Sequence, residues 1–501
     1  MEEETRVFED TAKYTAGTVI SQFIGIFTSI LLRKCLTPEM MGIWTTFIVI
    51  LNYVLYADLG LFSAAAVQIP YLKGKNKGEQ IARVRNDVFT FAVIVSLAIA
   101  VIFLVSSFII QGRVSSYVLL GVRIMPFIII ATLMYNLYIV MLRADKSFFL
   151  LSKAIIFNSA STLIFIALIV YPFKLEGMYY ATFLATLASL LYIMLSTRYG
   201  LRLSLKVKDI LNLLKIGFPL IIAGVVYTVL LSVDKIMIIK MLGAKELGFY
   251  SIAVLALTYT HTFPKLFGIV MLPNMQEKLG KTESQQHVLE DIKRPVFFMA
   301  YAFPLLLAVA YFTIPVLVYY VLPKYIPGIA SMKILLLGCF FISLVPLASN
   351  FIISLNKQIM LVPIIIISAA CGIGFNYALI KMNYGINGVA LGTSLSYMVY
   401  FAVMFFYSLN RFEKWPSITR FFIKIFIPLI YAASLLFVTE YYMQGVPLIK
   451  KTLIQGSIFY LLYLPLLFYI DKRTKMFSSV VYKIKDKIGK RQKVKTESHG
   501  V

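Results

Sequence analysis

Apolar runs of about 20 residues or more follow one another along almost the whole chain, separated by short polar breaks. A helix needs about 20 residues to cross a hydrocarbon core of ~30 Å. A barrel would instead need ~10-residue segments of alternating apolar and polar residues, and these runs do not alternate. In lipid only a helix or a closed barrel satisfies every backbone polar group. The chain is therefore expected to be an all-α integral membrane protein. Composition excludes a soluble fold: 60% of the 501 residues are hydrophobic and only 14% charged, against ~25% charged in soluble domains.

The runs predict about fourteen transmembrane helices, over 13–32, 41–66, 88–111, 116–142, 149–172, 177–197, 214–241, 247–272, 295–321, 328–354, 358–381, 385–408, 418–440 and 451–470. Lysine and arginine set the orientation. With the N-terminus in the cytoplasm, the inside loops collect Lys73, Lys75, Lys77, Arg83 and Arg85, then Arg202, Lys206 and Lys208, then Arg411, Lys414 and Arg420. Both termini then face the cytoplasm, in the cytoplasmic (inner) membrane. Arg33 and Lys34 run against this pattern, on the outside. The net charge of +25 is explained by basic loops facing anionic lipid, and needs no nucleic acid. The first dozen residues are acidic and polar, so no cleavable signal peptide is expected. Cys35, Cys339 and Cys371 lack metal-ligand spacing and read as packing residues.

The chain repeats itself. Leu36-Thr37-Pro38-Glu39-Met40-Met41-Gly42-Ile43-Trp44 follows the first span, and Leu242-Gly243-Ala244-Lys245-Glu246-Leu247-Gly248-Phe249-Tyr250 follows the seventh. Gly177 and Gly388 open spans six and twelve, and Asp145-Lys146 corresponds to Asn356-Lys357. A repeat of six spans keeps both copies entering from the same side, so the repeat is parallel, about an axis along the membrane normal. The expected organisation is a six-helix bundle over 1–197, a cytoplasmic linker over 198–213, a second bundle over 214–408, helices 13 and 14 within 409–470, and a basic cytoplasmic tail over 471–501. Phe477, Val480, Val481, Ile484 and Ile488 give that tail the spacing of an amphipathic helix. The segment 273–294 reads as an interfacial helix. Two facing bundles would enclose a cleft, and rocking them would give alternating access.

No outside loop is long enough to hold the acceptor and paired carboxylates of a membrane transferase or polymerase, which keeps that class as a distant alternative. There is no Gly-x-x-x-x-Gly-Lys-Ser/Thr motif for ATP. Chemistry must come from the polar groups inside the spans. These include Asp58, Arg123, Asp234, Lys235, Lys265 and Lys333, with His261 and several amides as helix–helix contacts. A charge at the bilayer centre costs at least ~2.5–3.5 kcal/mol, so each should face a cavity or a partner. The surplus of cations suits an anionic substrate. Arg123, Lys235, Lys265 and Lys333 are therefore the candidate substrate-binding residues of a cationic cavity. Asp58 and Asp234 are candidates for ion coupling or for pairing.

The motif Leu242–Tyr250, preceded by Asp234-Lys235, resembles the span 7–8 signature of polysaccharide flippases. Asp58-Leu59-Gly60-Leu61 resembles the Asp-Leu-Gly-Leu of the same proteins, and Leu142-Arg143-Ala144 at the end of span four is also similar. These are the Wzx-type transporters of the multidrug/oligosaccharidyl-lipid/polysaccharide (MOP) superfamily. The resemblance implies a V-shaped pair of six-helix bundles, and a transporter rather than an enzyme. It implies a flippase moving an undecaprenyl-diphosphate-linked oligosaccharide between leaflets, with membrane lipids and polysaccharide polymerase or assembly proteins as partners. It implies no bound cofactor, and coupling to a proton or sodium gradient. A lipid II flippase and a multidrug exporter of the same superfamily are the alternatives. A drug exporter more often has twelve spans, and a pump for cations would have an acidic cavity.

Overall fold

The computed structural model describes residues 2–474 except 198, 205, 283, 284 and 356. The tail expected beyond Thr474 lies outside the described residues. The chain forms helices α1 (Glu2–Cys35), α2 (Pro38–Val54), α3 (Leu61–Gly74), α4 (Gly78–Ile109), α5 (Ser116–Ala144) and α6 (Phe148–Phe165). A π-helical turn, Ile166–Val170, leads into α7 (Tyr171–Ser196). Then follow α8 (Val207–Met241), α9 (Ala244–Thr282), α10 (Gln285–Val321), a 3-10 segment (Pro323–Gly328), α11 (Ile329–Ser354), α12 (Leu361–Lys381), α13 (Gly385–Leu409), α14 (Trp415–Tyr442) and α15 (Leu448–Thr474). Among the described residues, eleven helical runs are long and apolar enough to cross a membrane. Large apolar side chains such as Leu195 (86% exposed) and Phe437 (75% exposed) lie on the outside of these helices. Together with the apolar runs, such a surface suits lipid. The protein is an all-α, multi-pass integral membrane protein.

One of the eleven runs, Phe148–Ser196, is a hairpin. In a straight helix, the 35 residues from Phe157 to Tyr192 would span about 50 Å. Their rings instead stack at 4.5 Å, and Asn158 Nδ2 donates to Ser189 Oγ at 3.0 Å. The chain reverses at Lys174, whose φ of 51° and ψ of −123° interrupt the helix. This lies between the expected spans 149–172 and 177–197.

The expected span 41–66 is not continuous. Helix α2 starts on a Thr37 cap, whose hydroxyl accepts from the Met40 amide, with Pro38 in the first turn. It ends at Val54, and α3 begins at Leu61. Between them Leu59 and Gly60 take positive φ values of 51° and 93°. Hydropathy is blind to such a break, because Leu59 and Leu61 keep the run apolar. The segment 273–294, expected as an interfacial helix, is taken up by the end of α9 and the start of α10.

The residues group into two compact units. One comprises Met1–Leu255, Val321–Gly328 and Ala369–Val389; the other Ala256–Tyr320, Ile329–Ser368 and Ala390–Val501. In the first, α1 packs on α6, α4 on α5, α5 on α7, and α3 on α8. In the second, α11 is the most enclosed helix, with Leu335, Leu336, Cys339, Phe340, Leu344 and Phe351 all buried. Phe401 anchors an aromatic cluster there, 4.8 Å from Phe405 and 5.7 Å from both Phe341 and Phe422. Gly338 lets α11 approach Ser394 so closely that a Cβ would lie 2.3 Å from the Ser394 hydroxyl. Helices in lipid associate through such van der Waals contact and small residues.

Candidate functional site

In the first unit, polar side chains line up where the broken α2–α3 segment meets α8. Tyr53 pairs with Ser232 at 2.6 Å, and one turn further Tyr56 pairs with Thr228 at 2.8 Å. Below them the break brings Gly60 against Gly217, where a Cβ on Gly217 would stand 1.9 Å from the Gly60 carbonyl oxygen. Asp58, buried at 5% exposure, accepts a 2.7 Å hydrogen bond from the Phe62 amide. Its carboxylate caps α3 and satisfies a donor that the break would otherwise leave orphaned.

Asp234 is also buried. It accepts from the Tyr250 hydroxyl at 2.9 Å and pairs with Lys235 at 3.1 Å. The Lys235 ammonium also donates to the Leu231 carbonyl at 2.5 Å. Arg33, which ran against the charge bias, is buried rather than exposed to the outer face. Its guanidinium donates to the Ser29 carbonyl at 3.0 Å, to the Ser29 hydroxyl at 2.5 Å and to the Ser251 carbonyl at 2.9 Å, so it fastens α1 to α9. Its signal in the sequence was Ser29, one helical turn before it.

In the second unit, Lys333 of α11 pairs with Glu440 of α14 at 3.1 Å and lies 4.7 Å from the Tyr311 ring centre. Glu440 also accepts from Lys451 at 2.7 Å and from Gln455 at 3.3 Å, both of α15. Glu440 was not among the acids singled out from the sequence, because it ends an apolar run and its partners are distant in the chain. His261 contacts Ser343 at 3.4 Å, beside a buried contact of Thr260 with Cys339 at 3.3 Å. Both tie α9 to α11. Lys265, one turn beyond His261, is exposed.

The candidate cations therefore occupy different settings. Arg123 and Lys235 belong to the first unit, Lys265 and Lys333 to the second. Arg123 is exposed and donates to Gln111 at 3.1 Å. Lys235 and Lys333 are each held by a carboxylate. No group of three or more His, Cys, Asp or Glu among the described residues could hold a metal ion.

At the ends of α4 and α5 in the first unit, Arg85 grips Asp145 with bonds of 2.7 and 2.8 Å. The Tyr199 ring lies 4.6 Å from the same guanidinium. Burial, with the Asp145 charge alongside, raises the Tyr199 hydroxyl above its usual range, so it stays protonated. The amides of Arg202 and Ser204 donate to Asn86 and Thr90 at 3.0 and 2.8 Å. The connection after α7 is thus strapped to the start of α4.

A family model described as polysaccharide biosynthesis protein matches residues 31–319, more than half of the chain. No curated protein sequence matches it. Among solved structures the chain is similar to an inward-facing multidrug resistance MATE family transporter of the MOP superfamily. The TM-score is 0.69 at 14% identity, over 80% of this chain and 95% of that one. It is similar to the lipid II flippase MurJ in an inward closed conformation, with a TM-score of 0.67 at 16% identity, over 91% of this chain and 99% of that one. It is also similar to a MOP superfamily transporter from Pyrococcus furiosus, with a TM-score of 0.56 at 15% identity, over 81% of this chain and 95% of that one. The chain belongs to the polysaccharide biosynthesis protein family, and its fold is similar to that of MOP superfamily transporters.

Proposed function

We propose that the protein is a flippase that moves an undecaprenyl-diphosphate-linked oligosaccharide, the repeat unit of a surface polysaccharide, across the cytoplasmic membrane by alternating access. One observation carries this reading within the superfamily. The drug transporter accounts for 80% of this chain with 95% of its own length, whereas the lipid II flippase accounts for 91% with 99% of its own. The additional share is about the length of two helices, and the lipid II flippase matches it. In this reading the fourteen expected spans form two parallel six-helix bundles plus two helices, with both termini cytoplasmic. The lipid tail stays in the bilayer while the sugar and diphosphate cross between the bundles. Arg123 and Lys265, the two exposed members of the cationic set, meet the diphosphate. Lys235 and Lys333 add field but are already neutralised in part by Asp234 and Glu440. A proton or sodium gradient drives the cycle.

The test is export of surface polysaccharide in cells, together with translocation of a diphosphate-linked oligosaccharide in proteoliposomes. The Arg123→Ala/Lys265→Ala variant should insert normally and lose at least tenfold in translocation. Normal translocation by that variant overturns the cationic-cavity reading. The lipid II alternative rests on the same structural likeness, and a deletion strain separates the two. A polysaccharide flippase leaves a growing, coat-deficient cell, whereas loss of lipid II transport stops wall growth.

A further inference from the structure

We propose that a cleft between α3, α4 and α8 is a docking site for the sugar–diphosphate headgroup, at the helix ends that the charge bias assigns to the cytoplasm. This rests on the flippase reading and adds to it a place where cargo is first held. The cleft has a volume of about 420 Å³ and is lined by Tyr71, Lys75, Lys77, Arg83, Asp87 and Asp209, with side-chain amides completing the wall. That volume is within the ~300–1,000 Å³ of ordinary small-ligand sites.

Asp87 is the informative residue. It is only 1% exposed, yet its Oδ1 has no hydrogen-bond partner. Ser204 and the Lys206 backbone reach its carboxylate from the linker, and the Asp209 charge repels it. A buried acceptor left without a donor is costly, and native structures rarely tolerate one. Asp87 lines the cleft, and a side-chain rotation that turns its shielded Oδ1 outward would bring that oxygen within reach of hydroxyl donors on a ligand there.

The rim selects a second property. Lys75, Lys77 and Arg83 are all exposed. Arg83 meets Glu79 at 3.4 Å with both side chains largely in solvent, and such a pair holds weakly. Lys75 lies 4.4 Å from the Tyr71 ring centre. Three cations against two carboxylates leave the cleft net positive, so a bare metal cation is a poor fit. A ligand that is anionic at one end and hydroxyl-rich at the other fits both groups. The cations take the phosphates, Asp87 and the amides take the hydroxyls, and Tyr71 offers an exposed ring for a sugar face.

The experiment uses the full chain in phosphatidylcholine nanodiscs, titrated calorimetrically with UDP and with UDP-glucose as probes of a diphosphate without and with a hexose on its terminal phosphate. The parent should bind both, UDP-glucose more tightly. The K75A/K77A/R83A variant changes exposed side chains only and should lose at least tenfold for both probes, as expected for several lost charge-assisted contacts. Asp87→Asn removes a charge-assisted acceptor without changing shape. It should weaken UDP-glucose about fivefold and leave UDP unchanged or tighter, because a negative charge has left the site. A purely structural Asp87 would weaken both probes together, and that result overturns the proposal. So does binding of either probe that keeps its parent strength in the triple variant. Repeating the titration in phosphatidylglycerol nanodiscs separates the two sources of phosphate. Retained UDP-glucose binding upholds a headgroup site, and displacement of both probes identifies a lipid-phosphate site instead and overturns it. Translocation by these variants, set against that of Arg123→Ala/Lys265→Ala, shows whether this site or the flippase reading has failed.

Discussion

Gly42 and Gly248 hold equivalent positions in the two repeated motifs, and each rests on the first turn of the other's helix. A Cβ at Gly42 would lie 1.8 Å from the Ala244 carbonyl oxygen, and one at Gly248 would lie 1.7 Å from that of Pro38. Pro38 and Ala244 are themselves equivalent in the repeat. The contact is therefore reciprocal, as it is across any two-fold axis. It relates the two motifs by packing as well as by sequence spacing. Gly42→Ala and Gly248→Ala should each destabilise the protein by about 1–3 kcal/mol, the range for overpacking. Thermal denaturation in detergent, followed by size exclusion, should give similar shifts for the two. Unequal shifts would argue against the reciprocity.

Glu440 holds two lysines, so removing it should cost more than removing either one. Glu440→Gln leaves Lys333 and Lys451 facing each other and should lower stability by about 2 kcal/mol, less than for a fully buried pair because Glu440 is 38% exposed. Adding Lys333→Met should restore part of the loss. Thermal melts of both variants would measure the coupling, and additive losses would refute it.

The Arg85–Asp145 pair is more enclosed, with side chains 19% and 15% exposed. Asp145→Ala should therefore cost about 3 kcal/mol by stranding the guanidinium beside Tyr199. Asp145→Ala/Arg85→Met should recover most of it. Limited proteolysis of the 197–206 connection gives a second readout, since faster cleavage is expected only in the single variant.

Asp58 caps α3, so its hydrogen-bonding oxygen matters more than its charge. Asp58→Asn should retain protein level and translocation, whereas Asp58→Ala should lose about 1 kcal/mol of stability. Loss of translocation in Asp58→Asn with protein intact would instead return Asp58 to the coupling ion.

The membrane class and the helical architecture were legible in the sequence, because burying a backbone in lipid demands long apolar helices and little else. The turn at Lys174 was legible too, since a short polar break separates two full runs. The break at Leu59 and Gly60 was not, because it replaces backbone bonds without changing hydropathy. Nor was Glu440 as the partner of Lys333, because 107 residues separate them and periodicity sees only neighbours. The cleft around Asp87 was hidden for the same reason: its walls come from residues 68–87 and 209–213, which read separately as ordinary basic loops.

The Lys333–Glu440 bond also orders events in time. A ribosome adding about 5–20 residues per second delivers Lys333 to the membrane several seconds before Glu440 exists. During that interval the ammonium sits in α11 with its carboxylate unmade, and an unpaired charge in a membrane helix is costly. Arrival of α14 and α15 relieves that cost. Insertion of α14 and α15 is thus coupled to neutralising a charge that α11 has already carried into the membrane.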